Sequence, residues 1–111
     1  MSALEALERV LESEGDPDDV LRSALAVLVD EPGVAWAAVA FLEEGRLVVG
    51  PDVGDPDESS RQSVPVLYHG APVGELRVDG EVEPEFLEQV AALLSAHVLI
   101  GWDTRGERWQ P

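Results

Sequence analysis

The segment of this 111-residue chain with the most evident chemical potential is an acidic stretch near its middle. It contains four acidic residues, Asp52, Asp55, Asp57 and Glu58. Their carboxylate oxygens are the type of ligand that calcium and magnesium prefer. The stretch lacks the glycine at the sixth position and the terminal bidentate glutamate of an EF-hand loop. We therefore predict a solvated loop and no metal site.

The remaining reactive side chains do not form a catalytic set. His69 falls in a predicted tight turn and His97 in the last predicted helix, whereas a catalytic histidine needs a positioned second group. No serine lies in a nucleophile-elbow context, and the glycines do not form a phosphate-binding motif. The chain has no cysteine, so it offers no thiolate nucleophile, disulfide or zinc-thiolate site. We predict that it is not an enzyme and that it has no cofactor.

A polar group on the second predicted hairpin is the best candidate for binding. Tyr68, Arg77 and Asp79 lie on its strands, and Arg77 and Asp79 share a face because they are two residues apart. They could line a polar pocket in which Arg77 fixes a carboxylate. The alternative is an exposed cross-strand ion pair, which is common and weak at protein surfaces.

The last ten residues contain two of the three tryptophans, Trp102 and Trp109. Burying one tryptophan is worth about 2 to 3 kcal/mol, so we expect both side chains to dock on another surface. One possibility is that the tail folds back over its own sheet and closes the face that a ligand would use. The other is a contact with a second copy or another protein.

Composition limits the partners. The chain has 23 acidic and 7 basic residues, giving a net charge of -16. Such a surface repels phosphate backbones and anionic lipids, so we expect neither nucleic acid nor membrane as a partner. No apolar stretch is long enough to span a bilayer, and the N-terminus does not resemble a signal peptide, so a cytoplasmic location is expected.

Two helices open the chain. Ser2 and Glu5 form a capping box, and apolar residues at helical spacing then extend this helix to Gly15. Asp16 and Pro17 supply an N-cap and a proline at the first helical position of a second helix.

The middle of the chain predicts two β-hairpins. Residues 34–42 form an unbroken apolar run, which is typical of a central strand covered on both faces. Residues 47–50 return as its partner, and a loop follows from residue 51 to about residue 62. Residues 63–68 and 71–79 form the second hairpin, with Pro65 and Pro72 at an edge or a bulge.

A long helix follows from Glu83 and Pro84, and Gly101 is its predicted C-cap. Helices segregated from an antiparallel sheet define an α+β fold. We predict one domain over residues 1–101 and a tryptophan-containing tail over residues 102–111, packed on the domain or on a partner.

Four segments of the sequence resemble a known family. They are VAWAAVAFL from residue 34, LVVGPDVG from residue 47, VPVLYHGAPVGELRVDG from residue 64 and EFLEQVA from residue 85. In this order they resemble a GAF domain, and within that family the free methionine-(R)-sulfoxide reductases. The resemblance implies an antiparallel sheet with two N-terminal helices and one long C-terminal helix. PAS and roadblock-like domains remain open, because the sequence does not supply strand order.

The resemblance also bears on the site. Trp36 matches an early tryptophan of those reductases, while the segment that holds their redox cysteines is short here and contains none. The resemblance implies an L-D-x-D pattern of acidic residues in a substrate pocket. In this sequence Asp79 matches one of the two acids, whereas Arg77 replaces the other with the opposite charge. Reduction by a thiolate of this chain is excluded on chemical grounds.

Two functions remain. The favoured one is a non-catalytic regulatory or interaction module, homodimeric through its helices, with the tail tryptophans filling the space of the missing segment. The other is a sensory domain that binds a small molecule between sheet and tail, contacted by Trp36, Tyr68, Arg77 and Asp79.

Overall fold

The computed structural model describes residues 2–13 and 15–104, with side-chain surroundings given up to residue 99. The order of elements is α1 Ala3–Leu11, α2 Pro17–Val29, β1 Val34–Glu43, β2 Arg46–Gly54, a 3₁₀ turn Glu58–Ser60, β3 Arg61–Tyr68, β4 Ala71–Gly80 and α3 Pro84–Thr104. This confirms the predicted order and the α+β class. None of the helices in this part of the chain is long and apolar enough to cross a membrane.

The four strands form one antiparallel sheet in the order β2-β1-β4-β3. The predicted central strand is confirmed, since β1 pairs with two neighbours and is buried from Trp36 to Phe41. β3 lies at an edge, where Pro65 is tolerated, and the register of its pairing shifts at Leu67 opposite Pro72. The predicted edge and bulge are therefore both present.

The helices form a layer on one face of this sheet and enclose the core. α2 and α3 pack on the strands, and α1 packs on both helices. The largest core side chains belong to all three helices and to β1, β3 and β4: Leu7, Leu21, Leu25, Leu28, Val39, Phe41, Val66, Leu76, Val78, Leu87, Val90, Leu94 and Val98. Alternation along each strand leaves the opposite face, called here the open face, to the intervening residues.

The helix starts follow the sequence rules, and α2 ends at Val29, directly before the helix-breaking residues 30–33. The ends of α1 and α3 differ from the prediction. Ser2 and Glu5 form the capping box, and the Asp16 side chain caps α2 with Pro17 at its first position. α1 ends at Leu11, not at Gly15 as predicted, because the Ser13 amide and hydroxyl both turn back to a carbonyl of the last turn. α3 continues through Gly101 to Thr104, so the predicted C-cap at Gly101 is wrong.

β2 and β3 are longer than the sequence indicated, and the predicted loop is correspondingly shorter. β2 resumes its pairing after a bulge and runs to Gly54, with Asp52 opposite Ala38. Pro51 fits because it lies in the bulge of an edge strand, where a missing amide hydrogen is tolerated. β3 begins at Arg61, two residues before the predicted start. Both extensions add polar side chains to the open face.

Candidate functional site

The candidate site is a row of side chains across three strands of the open face. In the strand register Trp36 of β1 lies opposite Asp79 of β4, and Asp79 lies opposite Arg61 of β3. Residues paired directly across strands present their side chains on the same face, so this register brings the three together. Asp52 of β2 and Asp57 of the following loop complete what we call the Arg61 cluster.

An ion pair lies at the centre of this cluster. Asp79 is fully buried, with 0% of its surface exposed. Its Oδ1 accepts from Arg61 Nε at 2.8 Å and its Oδ2 from Arg61 Nη2 at 2.9 Å. The Asp57 backbone N–H donates to the same Oδ2 at 2.5 Å. A planar guanidinium matched to both oxygens of a carboxylate is the strongest geometry for such a pair.

These contacts shift both ionisation equilibria. The hydrogen bonds from Arg61 lower the pKa of the Asp79 carboxyl below its usual value, and the Asp57 amide adds to this against the opposing effect of burial. The hydrogen bond to Asp79 in turn raises the pKa of Arg61. The pair is therefore charged at neutral pH.

The Trp36 side chain makes contacts through both its indole N–H and its aromatic ring. Its indole Nε1–H donates to Asp52 Oδ2 at 2.9 Å. The Arg61 Cζ atom lies 4.3 Å from the ring centroid, within the range of a cation–π contact. Arg61 thus covers the tryptophan and neutralises Asp79 at once.

The loop between β2 and β3 is fastened to the same face. The Asp55 amide donates to the Ala35 carbonyl at 2.9 Å, and the Ser59 hydroxyl donates to Asp57 Oδ1 at 2.7 Å. Of the acidic residues first considered as metal ligands, Asp52 and Asp57 accept hydrogen bonds from the chain itself. Within the described ranges, no three histidine or acidic side chains are grouped as a metal would require.

The structure separates Arg77 from Asp79. The two share the open face as predicted, because they lie opposite Ala38 and Trp36. Arg77 Nε, however, pairs with Glu75 Oε1 at 2.6 Å on its own strand. The expected exposed cross-strand ion pair is wrong in two respects, since Asp79 is buried and its arginine is Arg61. The reason is that Arg61 lies directly opposite Asp79 in the sheet, which the predicted loop boundary concealed.

Tyr68 lies far from this cluster. It pairs with Ala71 beside the hairpin turn, eight residues along β4 from Asp79, or about 26 Å at 3.3 Å per residue. Its ring meets that of His69 edge-on at a centroid distance of 4.4 Å. The four predicted ligand contacts thus do not form one pocket, and only Trp36 and Asp79 come together.

The other predicted features fall elsewhere. His69 is in the predicted turn, with a positive φ of 54°. His97 lies on α3, and its buried Nδ1 has no hydrogen-bond partner among the described residues. The side chain of Trp102 and the whole of Trp109 lie outside the described residues, so tail docking and the domain boundary at residue 101 stay predictions.

Sequence reasoning missed Arg61, and the bulge in the second hairpin explains why. The register at the turn, with Tyr68 opposite Ala71, would pair Arg61 with Val78 if it continued outward unchanged. The register shift between Val66 and Leu67 moves the pairing by one residue and places Arg61 opposite Asp79. Once they are opposite each other, the two charges stabilise the pairing of the strands.

A pH prediction follows from the lowered pKa of Asp79. The ion pair contributes stability above the unfolded value of about 3.9 and loses it as pH falls through the lower folded value. We expect the free energy of unfolding of Asp79→Asn to vary less with pH between about 4 and 2 than that of the wild type. Urea unfolding followed by circular dichroism measures this, and equal slopes for the two proteins would contradict the assignment.

Comparison with known proteins places the fold. No protein-family model matches the sequence, and neither does any curated protein. The GAF domain of Acinetobacter phosphoenolpyruvate-protein phosphotransferase is similar in structure, with a TM-score of 0.76, 16% identity and coverage of 97% of this chain and 100% of that one. The fRMsr of Staphylococcus aureus, solved in complex with substrate, gives a TM-score of 0.67 and 17% identity over 86% of this chain and 93% of its own.

A third structure is the type II free methionine-R-sulfoxide reductase from Thermoplasma acidophilum, with a TM-score of 0.59 and 18% identity over 88% of this chain and 95% of that one. Identities this low show the fold alone. The predicted resemblance is confirmed at that level: this chain has the α+β fold of GAF domains.

Proposed function

We propose that this chain is a non-catalytic regulatory or interaction module that acts as a homodimer and binds no small molecule on its open face. The observation that supports this best is the position of Arg61. Its guanidinium pairs with Asp79 and covers Trp36, the two ligand-contact candidates that the fold brings together. A ligand using these groups would have to displace an ion pair whose carboxylate is fully buried.

The chain also lacks the means for thiol chemistry. It contains no cysteine, so it has no thiolate to attack a sulfoxide. We therefore expect no reduction of free methionine-R-sulfoxide by the purified chain supplied with a thiol reductant.

Homodimerisation through the helical layer is the second part of the proposal. Val27 of α2 and Phe86 and Leu93 of α3 pack against the core but stay partly exposed on this layer. A second copy packed on the helices would remove that apolar surface from water. The resemblance to GAF domains likewise implies dimerisation through the helices.

One observation favours the sensory alternative. An open groove of about 550 Å³ lies beside the Arg61 cluster and is lined by Ser59, Ser60, Gln62 and residues 80–83. Its volume is within the range of about 300 to 1,000 Å³ that small-molecule sites occupy. Its lining is more polar than most such sites, and Gln62 already donates to the Gly80 and Val82 carbonyls across it.

Native mass spectrometry of the purified chain tests the proposal, because one spectrum reports both the number of subunits and any retained molecule. We expect a bare dimer. An added mass that is lost on denaturation would overturn the ligand-free assignment and favour a sensor. A bare monomer across micromolar concentrations would overturn the dimeric assignment and leave the ligand-free assignment standing.

A further inference from the structure

We propose that the edge of β2 binds an extended, basic segment of another protein, which adds a fifth strand to the four-stranded sheet at residues 46–49. This goes beyond the proposed function, because neither dimerisation through the helices nor the absence of a small-molecule ligand requires such a contact. Three features support it: the backbone groups that β2 directs outward, the apolar side chains beside them, and the acidic residues at both ends of the stretch.

The turn between β1 and β2 determines which backbone groups of β2 point outward. Glu43 and Arg46 lie opposite each other across a turn of two residues, both with a positive φ, 51° and 81°. The residues that flank such a turn exchange backbone hydrogen bonds, and the next pairs along the ladder alternate between non-hydrogen-bonded and hydrogen-bonded. The N–H and C=O groups of Leu47 and Val49 therefore point away from β1. No other strand in the described part of the chain pairs with this edge.

The side chains of this stretch are apolar and exposed. Leu47 is 42% exposed, Val48 37% and Val49 57%, and they are three of the four large apolar residues that are exposed in the described ranges. Leu47 and Val49 point to the open face, because their partners on β1 alternate with the core residues of that strand. An added strand with apolar residues two positions apart would cover both side chains, as a neighbouring strand of a sheet does.

The opposite edge of the sheet is protected in a way that this edge is not. β3 contains Pro65, which has no amide hydrogen, and its pairing shifts at Leu67. Prolines and bulges are means by which edge strands avoid pairing with other chains. In β2 the bulge and Pro51 come only after Val49. Residues 46–49 therefore form a regular stretch with neither a proline nor a bulge.

The charges around this stretch favour a basic partner. Glu44 precedes it, and Asp52 and Asp55 follow it. Arg46 lies opposite Glu43, so these two charges offset each other. The carboxylates at the two ends attract lysine or arginine residues placed on either side of the apolar positions of an incoming strand.

A second copy of this chain fits the same edge poorly. Antiparallel pairing of two β2 strands about Val48 would bring their apolar residues together. The same register would bring Glu44 of one copy near Asp52 of the other, at both ends of the pairing. Like charges that face each other across two strands destabilise the pairing. The edge is thus suited to a different, basic chain.

A synthetic peptide tests the proposal on the wild-type protein. Valine and threonine alternate over its five central positions, beginning and ending with valine, and two lysines stand at each end. We expect fluorescence anisotropy of the labelled peptide to show saturable binding. We also expect amide hydrogen exchange, followed by NMR, to slow at Leu47 and Val49 when the peptide is bound.

Two altered peptides separate the contributions of charge and of backbone pairing. In one, glutamate replaces each lysine; in the other, the backbone nitrogens of the central residues are methylated. Each change should weaken binding at least about tenfold, because the first reverses the charge and the second removes the strand hydrogen bonds.

Val49→Lys and Leu67→Lys form a matched pair of protein variants. Both place the same cation at an exposed apolar position of an edge strand, since Leu67 is 47% exposed on β3. We expect Val49→Lys to weaken peptide binding at least about tenfold and Leu67→Lys less than about twofold. Circular dichroism confirms that both variants are folded.

Absence of saturable binding of the lysine peptide would overturn the proposal. So would equal losses in the two lysine variants, equal binding of the glutamate peptide, or unchanged exchange at Leu47 and Val49. Oligomers that Val49→Lys dissociates and Leu67→Lys does not would identify a second copy as the occupant of the edge, and would overturn the assignment to a basic partner.

Discussion

Replacing Arg61 with alanine should lower the melting temperature by at least about 10 °C at neutral pH. Asp79 is fully buried and directs both oxygens at Arg61, so the substitution leaves a carboxylate in the protein without its counter-ion. Removing one partner of a buried pair is costly because the remaining charge keeps its desolvation penalty. The amide of Asp57 still donates to this carboxylate, but a single neutral donor does not replace the two charged hydrogen bonds from Arg61. Thermal unfolding followed by circular dichroism measures the change.

Arg77→Ala is the matched control for this prediction. The Arg77 side chain is 23% exposed and that of Arg61 27%, and each arginine makes a short contact to a carboxylate. The partners differ, because the Glu75 side chain is 26% exposed and can be hydrated, whereas that of Asp79 is 0% exposed. We expect a drop of only a few degrees for Arg77→Ala. Equal losses in the two variants would show that burial of Asp79 does not set the effect.

The Arg61 variant also allows a rescue experiment. Guanidinium ion at low millimolar concentration, well below denaturing levels, should restore part of the melting temperature lost in Arg61→Ala. It can take the place of the missing side chain between the Trp36 ring and the Asp79 carboxylate. The double variant Arg61→Ala with Asp79→Ala should gain nothing. A gain of equal size in both proteins would indicate a general salt effect rather than occupation of this site.

Among alanine substitutions at the glycines of the sheet, Gly80→Ala should lower the free energy of unfolding most, by roughly 3 kcal/mol or more. Gly80 ends β4 next to Asp79, with a positive φ of 140°. A Cβ atom there would lie 2.0 Å from the Gly33 carbonyl oxygen and 3.1 Å from the Val34 Cα. Both are backbone atoms of the chain entering β1, so relief requires β1 and β4 to separate where they position Trp36 and Asp79.

Gly45→Ala separates the steric effect from the conformational one. Gly45 also has a positive φ, 81°, but a Cβ atom there would have nothing within 4 Å. Only backbone strain remains, so we expect a loss of about 1 kcal/mol. Urea unfolding of both variants compares them directly. Similar losses would mean that the strands can yield to the methyl group, and that the close approach of β4 to β1 does not restrict the site.

The Arg61→Ala variant also bears on function. If the Arg61 side chain blocks access to Trp36 and Asp79 on the open face, then Arg61→Ala should bind small cations that the wild type does not bind. The melting temperature measured with and without guanidinium therefore reports on closure as well as stability. A wild-type protein stabilised by guanidinium to the same extent would indicate that the face is already accessible.

The sequence alone determined which elements form and in what order. Capping signals at Ser2 and Asp16 placed the helix starts, because these depend on hydrogen bonds within a few residues. The apolar run from residue 34 identified the central strand, since burial on both faces requires continuous apolar character. The absence of cysteine excluded thiolate chemistry by this chain whatever the fold.

Only the tertiary structure decided where β2 ends, where β3 begins and which arginine pairs with Asp79. β2 extends through Pro51 because pairing with β1 outweighs the local turn signal, which only a neighbouring strand can do. Arg61 belongs to β3, and not to a loop, for the same reason. The choice of Arg61 over Arg77 as the partner of Asp79 depends on cross-strand register, which joins residues 18 positions apart. Spacing along one strand predicted which residues share a face, but the contacts across that face are set by the neighbouring strands.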